Sequence, residues 1–347
     1  PGHGDTGIDS HLALPEVTGD MARLRAVELP PFEAMIAAGV PGVMSAHVAF
    51  PAVEPGLPAT LSKKVLTGLL REELGFEGLI VTDYMDMKAI AENYGPGEAA
   101  VRSVAAGADL VLLGPDVGTQ RQVYQALLAA VKSGRLPEAR VREAVAHSQR
   151  VAERYPPRWD DPAPDYAAHK QLAARVATRA ATLLWNDGVL PISAGTRVAV
   201  VAPQPGGFGR PPHLGDILGR SLAGVTRVAI AERPTDADIT AAIAAAESAD
   251  VVVLGSYHWL GAFPAGLRTL AARLAASGKP LVVVALGNPD DLRFLGVHAD
   301  AYLAAYGYRE ANLQGAAALL TGRTEPHGKL PVPAGDYPAG TGMEAYQ

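Results

Sequence analysis

The first eleven residues, PGHGDTGIDSH, place His3, Asp5, Asp9 and His11 among glycines in a stretch too irregular for helix or strand. Polar groups crowded on a Gly-rich loop mark a site, but they equally form Asx turns that hold a surface loop together, and both readings stand here. A carboxylate can act as nucleophile, base or orienting group, and an imidazole with a pKa near ~6.5 gives and takes a proton close to neutrality. The same chemistry recurs farther along. Asp83 ends the apolar run GLIVTD and is followed by Asp86 in YMDM, while His47 lies in SAHVAF. Taken singly, Asp83 can be the N-cap of the segment that follows it, and His47 a buried histidine satisfied by backbone. Cysteine is absent, which excludes disulfides, thiolate nucleophiles and Cys-ligated metals and leaves carboxylates, histidines and hydroxyls.

The elements that must position these residues can be read from the apolar pattern. Short strands alternate with helices through the first part: VPGVMSAHVAF, a helix from Leu61 to Leu74, GLIVTD, a helix near Gly97 to Ala106, and ADLVLLG. That alternation predicts βαβ units and a parallel sheet, with functional groups at the C-terminal strand ends. Ser62 is the expected N-cap and Gly75 the expected C-cap of the first of these helices. Helices from Gln120 to Lys132 and from Pro137 to Arg154 complete a domain over 1–155, and the Pro-rich stretch 156–166 is the expected linker. A closed (β/α)₈ barrel takes ~250 residues, about 31 per unit, so this part holds about four units and cannot close alone. The remainder, 167–347, opens with a helix from Ala167 to Leu184 and continues through TRVAVVAP, TRVAIA, DVVVLGS, PLVVVALG and AYLAAYG. With amphipathic helices at Asp236 to Ser248 and Pro264 to Ala276, it is expected to form a doubly wound α/β/α sandwich.

Composition narrows the function classes. The 347 residues are 48% hydrophobic and 19% charged, enough to bury a core in about two domains. A net charge of −6 without a long basic run argues against a nucleic-acid partner. No apolar run reaches the ~20 residues of a spanning helix, so no membrane partner is expected. The start, PGHG, has neither an initiator Met nor a signal-like segment, and neither localisation nor oligomeric state can be read.

Taken together, three segments resemble the family 3 glycoside hydrolases, in their bacterial β-N-acetylglucosaminidase (β-hexosaminidase) branch. PGHGDTGIDSHLALP resembles that branch's loop ending in Asp-Ser-His. SAHVAFPAVEPGLPATLSKKVLTGLLREELGFEGLIVTDYMDMKAI resembles its strand-helix-strand segment, and DGVLP at Asp187 to Pro191 resembles its entry into a C-terminal sandwich. The resemblance spans essentially the whole chain and is densest up to about Pro115. It implies the C-terminal half of a (β/α)₈ TIM-type barrel followed by an α/β/α sandwich, with the barrel's earlier strands, a Lys-His pair and further Asp and Arg groups upstream of Pro1.

The same resemblance implies a retaining hydrolase acting on terminal β-linked N-acetylglucosamine, from peptidoglycan or chitin fragments, with no cofactor and no metal. Asp83 would be the nucleophile, His11 the general acid/base and Asp9 the residue that orients His11; His3 would contact sugar hydroxyls and His47 would stand in the pocket wall as a second substrate-binding residue. Asp5 would shape the loop, and Asp86 is the rival nucleophile. A carboxylate that traps the oxocarbenium-like carbon, paired with a group that first donates and then accepts a proton, is what a retaining mechanism requires. The β-N-acetylglucosaminide phosphorylase reading stays open, because a neutral His base repels an incoming phosphate less than a carboxylate does. A metal-dependent hydrolase using the His/Asp loop is a second alternative, against which stand the lack of HExxH and of a distant third ligand segment. A nucleotide-binding reading of PGHGDTG or PGGFG is weaker, since neither joins a strand to a helix. A non-catalytic sugar-binding module is the remaining class.

Overall fold

The computed structural model describes residues 1–156, 163–204, 211–258 and 262–346. The expected linker over 156–166, the PGGFG stretch and the centre of the segment from Gly255 to Phe263 lie wholly or partly outside them. The chain divides into two compact units, Pro1–Asp161 and Pro162–Gln347.

The first unit is organised by a parallel pair, β1 (Gly42–Met44) and β4 (Leu79–Val81), with Val43 opposite Ile80. Between them lie an antiparallel hairpin, β2 (Ala49–Phe50) and β3 (Glu54–Pro58), a 3₁₀ turn (Ala59–Leu61) and a helix (Lys64–Glu73). Ser62 caps this helix by accepting from the Val65 N–H at 3.1 Å, and Gly75 follows it at φ +66°, a conformation that glycine adopts without strain. The helix is wound with i→i+5 bonds, such as Leu74 N–H to the Leu69 carbonyl at 2.9 Å. The strand expected at ADLVLLG contracts to one parallel bridge, Val81 to Leu110. Its ladder is interrupted because the Thr82 hydroxyl, rather than a carbonyl, takes the Leu112 N–H at 2.9 Å. Two long helices, Val117–Lys132 and Glu138–Arg154, follow; the first starts ahead of the expected position because Asp116 caps the Thr119 N–H at 2.7 Å. Val48, Phe50, Leu66 and Ile80 share one buried cluster with Leu24 and Phe76.

In the second unit the helix expected to reach Leu184 ends at Ala180 (Tyr166–Ala180), and Thr182–Asn186 forms β5. That run is buried on both faces, so it gains more as a strand paired with a neighbour than as a last helical turn. β6 (Val198–Pro203), β7 (Val225–Ile230), β8 (Val251–Ser256), β9 (Leu281–Ala285) and β10 (Ala301–Ala304) complete a sheet of order β5-β10-β9-β8-β6-β7. All neighbours are parallel except β5 with β10, so the sheet is mixed. Its central strands are apolar on both faces, as expected for a sheet covered on both sides: Val200, Val253 and Val284 pack in one core, and Val201, Leu254 and Val283 in the other. Asn186 closes the DGVLP turn, its amide oxygen accepting from Val189 and Leu190 N–H at 3.0 and 2.9 Å.

Asp291, fully enclosed in this unit, accepts hydrogen bonds from the hydroxyls of Ser256 and Tyr302. Burial pushes its carboxyl up from 3.8 to about 6, outweighing both hydroxyls, which pull it down. A folded-state pKa above the unfolded one means that the native state holds the proton more tightly. The stability that proton confers is complete below about pH 4 and lost as pH rises through about 6, a total of about 3 kcal/mol at ~1.4 kcal/mol per pKa unit. In denaturant titrations from pH 4 to 7, the wild type should lose stability relative to Asp291→Asn over that interval. Parallel pH curves for the two proteins would assign the effect to other groups.

Candidate active site

Because β1, β4 and the Leu110 segment run parallel, their C-terminal ends emerge on one edge of the first unit. β1 leads into Ser45 and His47, β4 into Thr82 and Asp83, and the third segment into Gly114. The His/Asp loop reaches the same edge through backbone bonds. Ala49 N–H donates to the Pro15 carbonyl at 2.9 Å, Val17 N–H to the Ala49 carbonyl at 2.9 Å, and Ala89 N–H to the Ser10 carbonyl at 3.4 Å. The C-terminal edge of a parallel sheet is where such folds assemble reactive groups on loops.

Within the loop, one oxygen of Asp9 accepts both the backbone N–H of His11 and its Nδ1–H, each at 2.8 Å. A carboxylate oxygen cannot donate, so Nδ1 carries a proton and is the ring nitrogen committed to Asp9. Nε2 has no hydrogen-bond partner among the described residues, and the His11 side chain is 63% exposed against 29% for Asp9. The His11 backbone N–H, then its imidazole, hold the Asp9 carboxyl below the usual carboxylate range. His3 meets the buried Ser10 hydroxyl through Nε2 at 3.1 Å. Asp5 points elsewhere, to Arg23 at 3.3 Å, and tethers the loop to the following helix.

The two carboxylates beyond β4 have different surroundings. Asp83 is half-buried and uses one oxygen to accept the Tyr84 N–H at 2.6 Å; its other oxygen makes no hydrogen bond among the described residues. Asp86 accepts the Gly114 N–H at 3.2 Å and lies beside the Tyr84 phenol, which partial burial first and the Asp86 charge second push above its ordinary pKa. A side chain at Gly114 would collide with both groups. Asp86 is therefore occupied in holding the loop after the third strand segment, while Asp83 keeps an unengaged oxygen.

His47 departs from the pocket-wall expectation. Its ring is 0% exposed and both nitrogens are engaged, Nδ1 with the Thr60 hydroxyl at 2.9 Å and Nε2 with the Tyr84 carbonyl at 3.0 Å, so neither can meet a sugar. Burial lowers its pKa, while the charge of Asp83 raises it and that of His11 lowers it; the charges of the loop histidine and the strand-end carboxylate thus both act on this ring. Thr60 and Ser45, hydrogen-bonded to each other at 2.8 Å, complete the cluster and were not identified from sequence. Their only sequence signal is polarity inside otherwise apolar strand and turn segments. Among the described residues, no three His, Asp or Glu side chains converge as metal ligands, and no helix is long and apolar enough to cross a membrane.

Comparison with known proteins places this geometry in a lineage. Residues 1–151 match the description "Glycosyl hydrolase family 3 N terminal domain" and residues 181–338 match "Glycosyl hydrolase family 3 C-terminal domain". The chain is 32% identical over 221 residues to beta-hexosaminidase A of Pseudoalteromonas piscicida, covering 57% of this chain and 37% of that protein. It is 42% identical over 113 residues to beta-hexosaminidase of Nitrosospira multiformis, covering 33% of this chain and 32% of that protein. A solved glycoside hydrolase family 3 beta-N-acetylglucosaminidase from Paenibacillus sp. str. FPU-7 superposes with a TM-score of 0.81 at 37% identity, covering 96% of this chain and 66% of that one. The chain thus spans about a third of the length of these two curated relatives and 66% of the solved one. With both of its units matched, the chain belongs to glycosyl hydrolase family 3.

Proposed function

We propose that the protein carrying this chain is a retaining glycosidase that removes terminal β-linked N-acetylglucosamine, with Asp83 as nucleophile and the Asp9–His11 pair as acid/base. The observation that carries the reading is the pair itself: an imidazole whose Nδ1–H is fixed by Asp9 and whose Nε2 is unengaged, on the strand edge that also bears Asp83. In the first step the Asp83 carboxylate attacks the anomeric carbon while the Nε2–H of the imidazolium passes its proton to the departing glycosidic oxygen. In the second, the neutral Nε2 takes a proton from water, whose oxygen displaces Asp83 and releases the sugar with its configuration retained. Asp9, ionised throughout, stabilises the imidazolium. His3, held by Ser10, is available to sugar hydroxyls. The names of the relatives, beta-hexosaminidase and beta-N-acetylglucosaminidase, support N-acetylglucosamine as the sugar; fragments of peptidoglycan or chitin are its proposed source.

The finer architecture belongs to the same proposal. The first unit is read as the C-terminal part of a (β/α)₈ barrel over 1–155, joined by a linker over 156–166 to an α/β/α sandwich over 167–347. Among the described residues β1 and the Leu110 segment each pair on one side only, which supports this reading, as does a groove of about 780 Å³ lined by Val123, Tyr124, Leu127 and Val145 beside Leu110. Unpaired strand edges and apolar grooves of this size are surfaces that further strands and helices cover.

In the intact protein, Asp83→Asn should lower turnover of an aryl N-acetyl-β-glucosaminide by roughly 10⁴-fold, as loss of a covalent nucleophile does. Asp86→Asn should retain far more activity, and a fluorosugar inactivator should label the peptide bearing Asp83; labelling at Asp86 would reverse the assignment. His11→Ala should slow substrates with poor leaving groups more than dinitrophenyl substrates by about 10²- to 10⁴-fold, the range of general acid catalysis. Asp9→Asn should give the same pattern more weakly. Equal losses on both classes of substrate would remove His11 from the acid/base role.

A further inference from the structure

The cluster beneath Asp83 contains a hydrogen-bond chain whose direction can be deduced. The Tyr84 carbonyl can only accept, so the His47 nitrogen 3.0 Å away, Nε2, must carry the proton. A fully buried ring with no carboxylate in contact is held neutral, which leaves Nδ1 bare and makes it an acceptor. The Thr60 hydroxyl at 2.9 Å is therefore its donor. Since that hydroxyl has one proton to give, the Ser45 hydroxyl at 2.8 Å must donate to the Thr60 oxygen in turn. With the ring neutral, the chain runs Ser45 to Thr60 to His47 to the Tyr84 carbonyl, and no other direction preserves every bond.

At its far end the chain meets a residue tied through both of its backbone polar groups. The Tyr84 N–H is held by the Asp83 carboxylate at 2.6 Å, and the Tyr84 carbonyl accepts from the Met87 N–H at 3.1 Å as well as from His47. Anything that rotates Tyr84 therefore rotates the hydrogen bond that orients Asp83. Thr60 is held in turn by its own backbone, its N–H reaching the Ala46 carbonyl at 3.3 Å, so that its hydroxyl reports the position of the β1 exit.

We propose that Thr60, polarised by Ser45, is a positioning residue: by donating to Nδ1 it anchors the His47 ring in the pose whose Nε2–H clamps the Tyr84 carbonyl, and the clamped residue holds the N–H that orients the carboxylate of Asp83. The catalytic half of this inference rests on Asp83 being the nucleophile; the tautomeric half does not. The charged groups that act on His47 are Asp83 and His11.

The test combines imidazole nitrogen NMR with kinetics on the intact protein. In the wild type, the nitrogen shifts of His47 should report Nε2 protonated and Nδ1 bare near neutral pH, with any inflection displaced below ~6.5, where a free histidine titrates. Thr60→Val removes the donor and should move the resonance of the bare Nδ1 downfield, toward that of a nitrogen with no hydrogen bond, with Nε2 still protonated, while Thr60→Ser should restore the wild-type pattern. Ser45→Ala should give an intermediate one if the larger change fails to fold. On an aryl N-acetyl-β-glucosaminide, Thr60→Val should lower kcat on the order of tenfold, less than the ~100-fold of a 1 Å misplacement, with KM little changed and recovery in Thr60→Ser. The rate of Asp83 labelling by a fluorosugar should fall and recover in step. A wild-type His47 protonated on Nδ1, or titrating like a free histidine, would overturn the chain of donors. Correct shifts with equal kcat in Thr60→Val and Thr60→Ser would sever it from Asp83. A wild type inert toward every such glycoside would overturn the function proposed for the site, and the nitrogen shifts would then decide the tautomer alone.

Discussion

The carboxylate of Asp109 is the fixed point of the first unit. Fully buried at the entry to the third strand segment, it accepts from Arg71 at 2.5 Å, Arg140 at 2.7 Å, His147 at 2.8 Å and the Ile80 N–H at 2.9 Å. Those partners come from the helix after the hairpin, from the long helix Glu138–Arg154 and from β4, so one side chain sets the relative height of three elements. Arg71 also donates to the carbonyls of Phe76 and Gly78, and Arg140 to those of Val104, Gly107 and Ala108, leaving few donors unused. A buried charge so completely paired is tolerable, whereas removing one partner typically costs about 3–5 kcal/mol. Heights fixed at the N-terminal ends of parallel strands are inherited at the C-terminal ends, which carry Asp83, His47 and the bonds that seat the His/Asp loop. One end of the sheet thus supplies rigidity and the other the candidate site.

How much of this was legible in the sequence depended on the range of the interaction. Asp83 was legible as a candidate because a strand announces its own end, and the Asp9–His11 contact because two residues on a turning loop can reach each other without help from the fold. Ser62 and Gly75 were found for the same local reason. Asp109, Thr60 and Ser45 were not, because each acquires its role from partners 13 to 38 positions away or more, and nothing local distinguishes such a residue from a solvated one. The misplaced boundaries have the same origin. Thr182 to Leu184 continue a helical pattern locally but are claimed by β10, and ADLVLLG has strand composition but meets a threonine hydroxyl where a carbonyl would be needed. His47 shows the limit most clearly: the sequence offered a sugar contact or a satisfied core histidine, and burial decided for the second.

The two units handle buried polar groups differently. In the first, Asp109 is surrounded by cations. In the second, Asp291 has uncharged donors, the hydroxyls of Ser256 and Tyr302 and the Leu292 backbone N–H, and its burial beside the hydrophobic sheet makes its charged form costly. Uniform valine-rich strands stabilise a sheet covered on both faces but provide no compensating charge for a carboxylate enclosed with them.

The bond between Asp9 and His11 closes over two residues, whereas the contacts that seat their loop, from Ser10 to Ala89 and from Asp5 to Arg23, are few and in part exposed. Internal geometry and placement are therefore governed separately. If the loop shifts as a body, the imidazole keeps its partner and its tautomer, and only its distance from Asp83 changes. The Asp9–His11 pair is thus a preassembled unit on a short tether: its geometry is written into three consecutive residues, Asp9, Ser10 and His11, and its placement into the few bonds around them.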